Sequence, residues 1–172
     1  DTNSNIILGG AQGAGSPQQI TTGSTTWISV SGGDGGDVAV DNITLAASNQ
    51  SIRYSSSQNL LGFRREIYDA ANNRIGDPVF PDLTLVGGGA PLLPQPLTPV
   101  ELNAINPTRL VIGGSNSFYE SLDQGDTITQ INGPGDIRYA MAYGCRSGGV
   151  DNPDVLYVCV RIDTSTLSTP AV

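Results

Sequence analysis

Carboxylates are the only side chains of this sequence that could serve as general acids or bases. The chain has no histidine, and all eight of its basic residues are arginines. Histidine-activated nucleophiles, histidine-bound metals and lysine Schiff bases are therefore excluded. A glycosidase needs two carboxylates facing each other across a cleft, and Glu66 and Glu120 lie in strand patterns that permit such a pair. Most other carboxylates are aspartates in turns, so we predict that the protein is not an enzyme.

A glycine–aspartate run, GGDGGD, occupies residues 32–37 and resembles one copy of the nonapeptide that binds Ca²⁺ in parallel β-rolls. Carboxylate and carbonyl oxygens suit a hard cation, which makes Asp34 and Asp37 candidate Ca²⁺ ligands. The rolls need tandem copies, whereas this chain has one, with the small Ala39 where a large apolar residue is expected. The alternative interpretation is a flexible turn, and we expect no other cofactor.

Two triplets fit the pattern for N-linked glycosylation. They begin at Asn42 and Asn49 and read Asn-Ile-Thr and Asn-Gln-Ser. Such triplets are common by chance, and they bear on function only where the source glycosylates exported proteins.

The two cysteines, Cys145 and Cys159, lie in adjacent strand patterns that we expect to form the centre of the fold. Residues 137–145 alternate large and small side chains, and residues 155–162 are apolar on both faces. One strand register aligns the large faces and keeps the cysteines apart, whereas another places them opposite each other. A bridge across two layers is a third arrangement, and two free buried thiols are the alternative to any bridge. We predict the disulfide, worth about 3 kcal/mol for the loop it closes.

Composition indicates an exported chain. Only 14% of residues are charged and the net charge is −8, against about 25% charged residues in an average soluble domain. An acidic chain without lysine is a poor ligand for nucleic acid or for an anionic membrane surface. No apolar run reaches the roughly 18 residues of a membrane span. The first residue is Asp1 rather than Met, which indicates either natural processing or artificial trimming of the chain, and we expect an extracellular location or a cell or virion surface.

Many short strand patterns with turn residues between them predict an all-β fold, a sandwich of the jelly-roll or Greek-key kind. Residues 60–69 and 74–80 read as a hairpin around Ala-Ala-Asn-Asn, with Pro78 placing the second arm at a sheet edge. The Pro-rich residues 87–99 are interpreted as a crossover within one domain. Thr98, Pro99 and Glu101 have the spacing of a helix N-terminus, which predicts one short helix.

The chain divides into an N-terminal arm, residues 1–24, and a single β-sandwich domain, residues 25–172. The arm is rich in glycine and polar residues, with one apolar segment formed by Ile6, Ile7 and Leu8. A loosely held terminus is one interpretation. The other is an arm that adds a strand to the sheet edge of a neighbouring subunit.

The absence of a catalytic constellation, the exported composition and the arm together predict a non-enzymatic structural subunit. We expect it in an extracellular homopolymer such as a filament, surface layer or virion surface, with copies of the chain as partners, no nucleic acid and no membrane insertion. The alternative is a secreted carbohydrate-binding β-sandwich module, with Ca²⁺ as an optional ligand. Its glycan would stack on aromatic side chains, for which the candidates are Trp27, Tyr54, Tyr119 and the tyrosines of residues 137–157.

Overall fold

The computed structural model describes residues 1–131 and 137–160, except for the side chains of residues 137–139 and 160. The fold is nearly all β, which confirms the predicted class. The strands, in chain order, are β1 (Pro17–Gln19), β2 (Trp27–Ser29), β3 (Gly35–Asp41), β4 (Gln50–Ser57), β5 (Arg64–Asp69), β6 (Arg74–Val79), β7 (Thr84–Val86), β8 (Val100–Leu102), β9 (Leu110–Gly113), β10 (Phe118–Ser121), β11 (Thr127–Ile131), β12 (Ile137–Ser147) and β13 (Val150–Val160). Two single 3₁₀ turns, Ala46–Ser48 and Gln58–Leu60, flank β4.

Two larger sheets hold most of these strands. One has four strands in the order β3-β4-β5-β6, and the other has five in the order β7-β11-β10-β9-β8. Neighbouring strands are antiparallel in both sheets, except that β7 runs parallel to β11. Consecutive strands thus pair as meanders, and the expected jelly-roll or Greek-key connectivity is not confirmed. The other two sheets, β1-β2 and β12-β13, have two strands each.

One hydrophobic core receives side chains from both larger sheets. The four-stranded sheet contributes Ile52 and Tyr54 from β4, and Leu60 and Phe63 follow in the connection to β5. The five-stranded sheet contributes alternate apolar side chains of β8 to β11, namely Val100, Leu102, Leu110, Ile112, Tyr119 and Ile128. Burial of these large apolar side chains between the two sheets stabilises the arrangement.

The pair of strands that we expected at the centre of the fold lies outside this core. β12 and β13 pair only with each other among the described strands, and most residues of β13 are half-buried or exposed. The expectation was wrong because apolar residues on both faces of a strand show that it can be buried, not that it is buried. Val150 and Tyr157 are each 69% exposed.

The predicted helix after the Pro-rich crossover is also wrong. Val100–Leu102 is an edge strand, in which Val100 pairs with Ile112 and Leu102 with Leu110. Thr98 does not cap a helix, since its Oγ1 accepts a hydrogen bond from the backbone N–H of Gln95 at 2.8 Å. The alternation of buried and half-buried residues in β8 is that of a strand covered on one face.

The predicted hairpin is present as β5 and β6. Asn72 in its turn has a φ of 66°, the left-handed conformation that asparagine tolerates. β6, which contains Pro78, is one of the two outer strands of the four-stranded sheet. Nowhere in residues 1–131 and 137–160 is there a helix with the length and hydropathy that a membrane crossing requires.

Candidate assembly site

The antiparallel pair β12–β13, called the ribbon here, is the longest regular element of the described chain. Each strand has eleven residues, and the register joins Met141 to Val158 and Tyr143 to Leu156. Gly148 and Gly149, with φ values of 58° and 82°, form the turn between them. No other described strand pairs with either outer edge. Unpaired N–H and C=O groups along such an edge are a template for another strand.

The ribbon is attached to the five-stranded sheet near its middle. The backbone N–H of Ala104 donates to the carbonyl of Tyr143 at 2.8 Å, and the Asn103 side-chain amide donates to the carbonyl of Pro153 at 2.7 Å. Tyr143 is 3% exposed, and its hydroxyl donates to Oε1 of Glu120. Burial and this hydrogen bond raise the pKa of Tyr143 to about 12. Beyond the attachment, residues 146–152 at the turn of the ribbon are all exposed.

Arg109 completes the attachment. Its Nη2 lies 2.7 Å from Oε1 of Glu120, its Nη1 lies 2.8 Å from Oδ1 of Asp154, and its guanidinium stacks 5.1 Å from the centre of the Tyr143 ring. Hydrogen bonds to Glu120 and Asp154 raise the pKa of Arg109 despite the opposing effect of burial. One arginine thus joins the sheet to both strands of the ribbon.

On the side of the attachment away from the turn, the ribbon presents apolar residues, two of them small alanines. Ala140 and Ala142 are exposed, and Tyr157, which pairs with Ala142, stands beside them. With Met141, Val158 and Cys159 they line a shallow depression of about 340 Å³. Apolar surface with open strand edges is typical of a site that contacts another protein.

The predicted disulfide is not supported, because Cys145 and Cys159 are free thiols. Cys145 lies opposite Asn152, and Cys159 follows Val158, which pairs with Met141. Cys159 therefore lies opposite a position at least five residues before Cys145, which at the rise of a strand separates the cysteines by roughly 17 Å along the ribbon, whereas a disulfide requires Cα atoms within about 7 Å. The strand register that aligns the large faces is the one adopted, and it separates the thiols.

The N-terminal segment, residues 1–24, packs on its own chain. Ile6 is 2% exposed, Ile7 is 61% exposed, and Leu8 forms an isolated bridge with Gln18. β1, within the segment, pairs with β2, which follows the segment in the chain. A donated arm would first have to leave this position.

A buried ion pair holds the start of that segment. Oδ2 of Asp1 lies 2.7 Å from Nη2 of Arg53, and it also accepts a hydrogen bond from the Ser51 hydroxyl at 2.7 Å. The Arg53 guanidinium stacks 3.8 Å from the centre of the Tyr68 ring, and burial lowers the pKa of Arg53. Sequence reasoning missed this cluster. The signal that could have found it is that Arg53 is the one charged residue in the strand pattern of residues 50–57.

The glycine–aspartate run packs against the N-terminal segment instead of forming a flexible turn. A Cβ at Gly35 would overlap the carbonyl oxygen of Gly15, so the two backbones approach too closely for a side chain. Oδ1 of Asp34 accepts a hydrogen bond from the N–H of Gly13 at 2.6 Å, and Oδ2 of Asp37 accepts one from the N–H of Val100 at 3.0 Å. Residues 1–131 and 137–160 contain no cluster of three or more acidic or cysteine side chains suited to a metal ion.

The two glycosylation triplets lie near the 3₁₀ turn after β3. Asn42 is half-buried and accepts a hydrogen bond from the N–H of Thr2 at 3.2 Å, while Asn49 is exposed and ends the 3₁₀ turn with a φ of 54°.

The candidate catalytic carboxylates lie in separate clusters. Glu66, 4% exposed, accepts a hydrogen bond from Arg74 at 3.1 Å, whereas Glu120 contacts Arg109 and Tyr143 at the ribbon. Of the aromatic residues considered for glycan binding, Tyr54, Tyr119 and Tyr143 are buried. Trp27 and Tyr157 are 42% and 69% exposed, on β2 and β13 respectively, and Tyr139 has no described side chain.

No protein-family model, curated protein or solved structure matches this chain.

Proposed function

We propose that this protein is a non-enzymatic structural subunit of an extracellular homopolymer, in which copies of the chain associate through the ribbon. The observation that carries the proposal is the ribbon itself, two eleven-residue strands whose outer edges pair with no other strand in residues 1–131 and 137–160. Adding a strand to such an edge supplies main-chain hydrogen bonds, and side chains on the ribbon face supply apolar contact.

The exposed apolar residues of the ribbon support this assignment. Val150 and Tyr157 are each 69% exposed, and the alanines beside Tyr157 allow another backbone to approach closely. Soluble chains commonly protect open strand edges with charges, prolines or covering loops. From Ala140 to Ala142 and from Val155 to Cys159 the ribbon has neither a charge nor a proline.

The ribbon, rather than the N-terminal arm, is the element that we assign to assembly. Exchange of the arm would expose Ile6 and separate the buried Asp1–Arg53 pair, which leaves a buried charge without its partner. Away from the hydrogen bonds that Tyr143 and Pro153 accept from the five-stranded sheet, the ribbon edges need no such rearrangement. Ile7 is the one residue of the apolar segment that is more than half exposed and could add contact to a neighbour.

The test is negative-stain electron microscopy and light scattering of the purified chain, beside the variants Tyr157→Ser and Leu122→Ser. Leu122 is 64% exposed and lies outside the ribbon, so it is the matched control for loss of an exposed apolar side chain. We expect polymers for the wild type and for Leu122→Ser, and weaker assembly for Tyr157→Ser. A wild type that stays monomeric as its concentration rises would refute the proposal.

A further inference from the structure

A groove separates the two larger sheets where their outer strands approach each other. β3 is the last strand of the four-stranded sheet and β8 is the last strand of the five-stranded sheet, so each presents an unpaired edge. The hydrogen bond from Val100 to Asp37 joins the two edges at one point. Beyond it, residues 38–43 and residues 101–104 with Pro107 line an opening of about 480 Å³. We call this opening the acidic groove.

The groove is lined by two carboxylates, Asp41 and Glu101, and its lining residues include no arginine to balance their charge. Glu101 lines it, and burial together with the charge of Asp37 raises the pKa of Glu101. Asp41 also lines it and is 1% exposed. Oδ1 of Asp41 accepts hydrogen bonds from Ile43 and Thr44, whereas Oδ2 is buried and has no hydrogen-bond partner in the described part of the chain. A buried carboxylate oxygen without a partner is costly, and a cation nearby would offset that cost.

The ribbon tip, residues 145–152, offers an exposed arginine to these carboxylates. The Arg146 side chain pairs through Nε with Oδ1 of Asp151 on the same tip at 2.6 Å, yet it is 67% exposed, whereas every other arginine with a described ion pair is less exposed. An exposed pair of this kind contributes little stability, so the guanidinium can exchange this partner for a carboxylate of the groove. Val150 on the facing strand is 69% exposed. The apolar lining of the groove, which includes Ala39 and Leu102, could receive Val150 while Arg146 faces the carboxylates.

We propose that the acidic groove is the acceptor site for the ribbon tip of a second copy of this chain, with Arg146 of that copy beside Glu101. The inference rests on the proposed function and adds a second contact to the one that the ribbon edges and Tyr157 supply. Tip and groove are different surfaces of one subunit, so the contact is head-to-tail. A head-to-tail contact forms a ring if the rotation between successive subunits closes, and an open filament if it does not.

Charge reversal with rescue tests the contact. The variants are Arg146→Glu, Glu101→Arg and the double variant, with association measured by sedimentation velocity over a concentration series. We expect each single variant to weaken association about tenfold or more, and the double variant to recover most of the loss because the opposite charges face each other again. Asp77→Arg makes the same charge change on exposed β6 and should leave association unchanged.

Further measurements distinguish a lost contact from misfolding of the charge-reversed variants. Circular dichroism and urea unfolding establish that each is folded, and Glu101→Gln removes the charge while keeping the shape of the side chain. Glu101→Gln should weaken association less than Glu101→Arg. If the wild type polymerises and the reversals change nothing, or the double variant is no better than the single ones, the groove contact is refuted while the proposed function stands. If the wild type never associates, both fail.

Discussion

The carboxylate of Asp1 lies 2.7 Å from the guanidinium of Arg53, 52 positions away, and neither side chain is more than 3% exposed. Arg53 also donates to the side chains of Gln18 and Asn72, at 2.8 Å and 2.7 Å. One buried cation therefore connects the N-terminal segment, β4 and the turn after β5. Because burial removes solvent screening, loss of either charge leaves the other uncompensated.

Removal of the Arg53 charge should destabilise the protein strongly. In Arg53→Met the apolar stem remains but Asp1 stays buried without a cation, so we expect the free energy of unfolding to fall by about 3–5 kcal/mol. Urea denaturation measures the change. The control is Arg146→Met, whose pair with Asp151 is 67% and 45% exposed and should cost at most about 1 kcal/mol. Equal losses in the two variants would contradict the assigned role of the buried pair.

Gly35 should tolerate no side chain. Gly35→Ala places a methyl group onto the carbonyl of Gly15, and we expect a loss of about 1–3 kcal/mol together with faster proteolysis within residues 1–24. Gly32→Ala is the matched control, since no atom lies within 4 Å of the added Cβ. Proteolysis followed by mass spectrometry separates them, and an unaltered cleavage rate in Gly35→Ala would argue against close packing of the segment.

The stability of the monomer should respond to Glu101 in a pH-dependent way. Burial and the Asp37 charge raise the pKa of Glu101 above its usual 4.5, so the folded state binds this proton more tightly than the unfolded state and ionisation opposes folding. At pH 7 Glu101→Gln should therefore raise the free energy of unfolding. Because solvent screens the half-buried group, we expect at most about 1 kcal/mol.

That gain has a defined pH window. It should shrink as the pH falls through the raised pKa and vanish below pH 4.5, where the carboxyl is protonated in both states. Urea denaturation at neutral and acidic pH, at concentrations where the chain is monomeric, provides the data. A gain that persists undiminished at the acidic end would mean that charge is not its cause.

Both thiols should react with an alkylating reagent in the native protein without reduction. We expect Cys159, which is exposed, to react faster than Cys145, which is partly buried. Intact-mass and peptide-mass spectrometry report the two rates. A native chain that takes up no label until it is reduced would instead support the bridge that the strand register disfavours.

Strand positions were predictable from the sequence where the signal is local. The Ala-Ala-Asn-Asn turn between two strand patterns identified β5 and β6, alternation of large and small side chains identified β12, and an apolar run from residue 155 identified the second half of β13. Burial was not predictable in this way. Residues 155–160 have the composition of a covered strand, yet which strands enter the core depends on contacts distant in sequence.

The helix predicted at residues 98–102 was wrong because pairing with a distant segment determines the structure there. Thr98, Pro99 and Glu101 have the local spacing of a helix N-terminus, but the pairing of Val100 with Ile112 and the burial of Leu102 favour a strand. The residues of the candidate sites are also brought together by contacts distant in sequence. That Asp1 meets Arg53, and that β3 faces β8 across a groove, are facts of tertiary arrangement that no short window of sequence contains.

Hydrogen exchange of the ribbon backbone, compared between dilute and concentrated protein, tests the central claim most directly. If copies associate through ribbon edges, the amides of residues 145–159 should exchange more slowly in the concentrated sample, while those of the core strands β9 and β10 remain unchanged. Polymers whose ribbon amides exchange as fast as in the dilute monomer, or a chain that forms no polymers, would contradict the account.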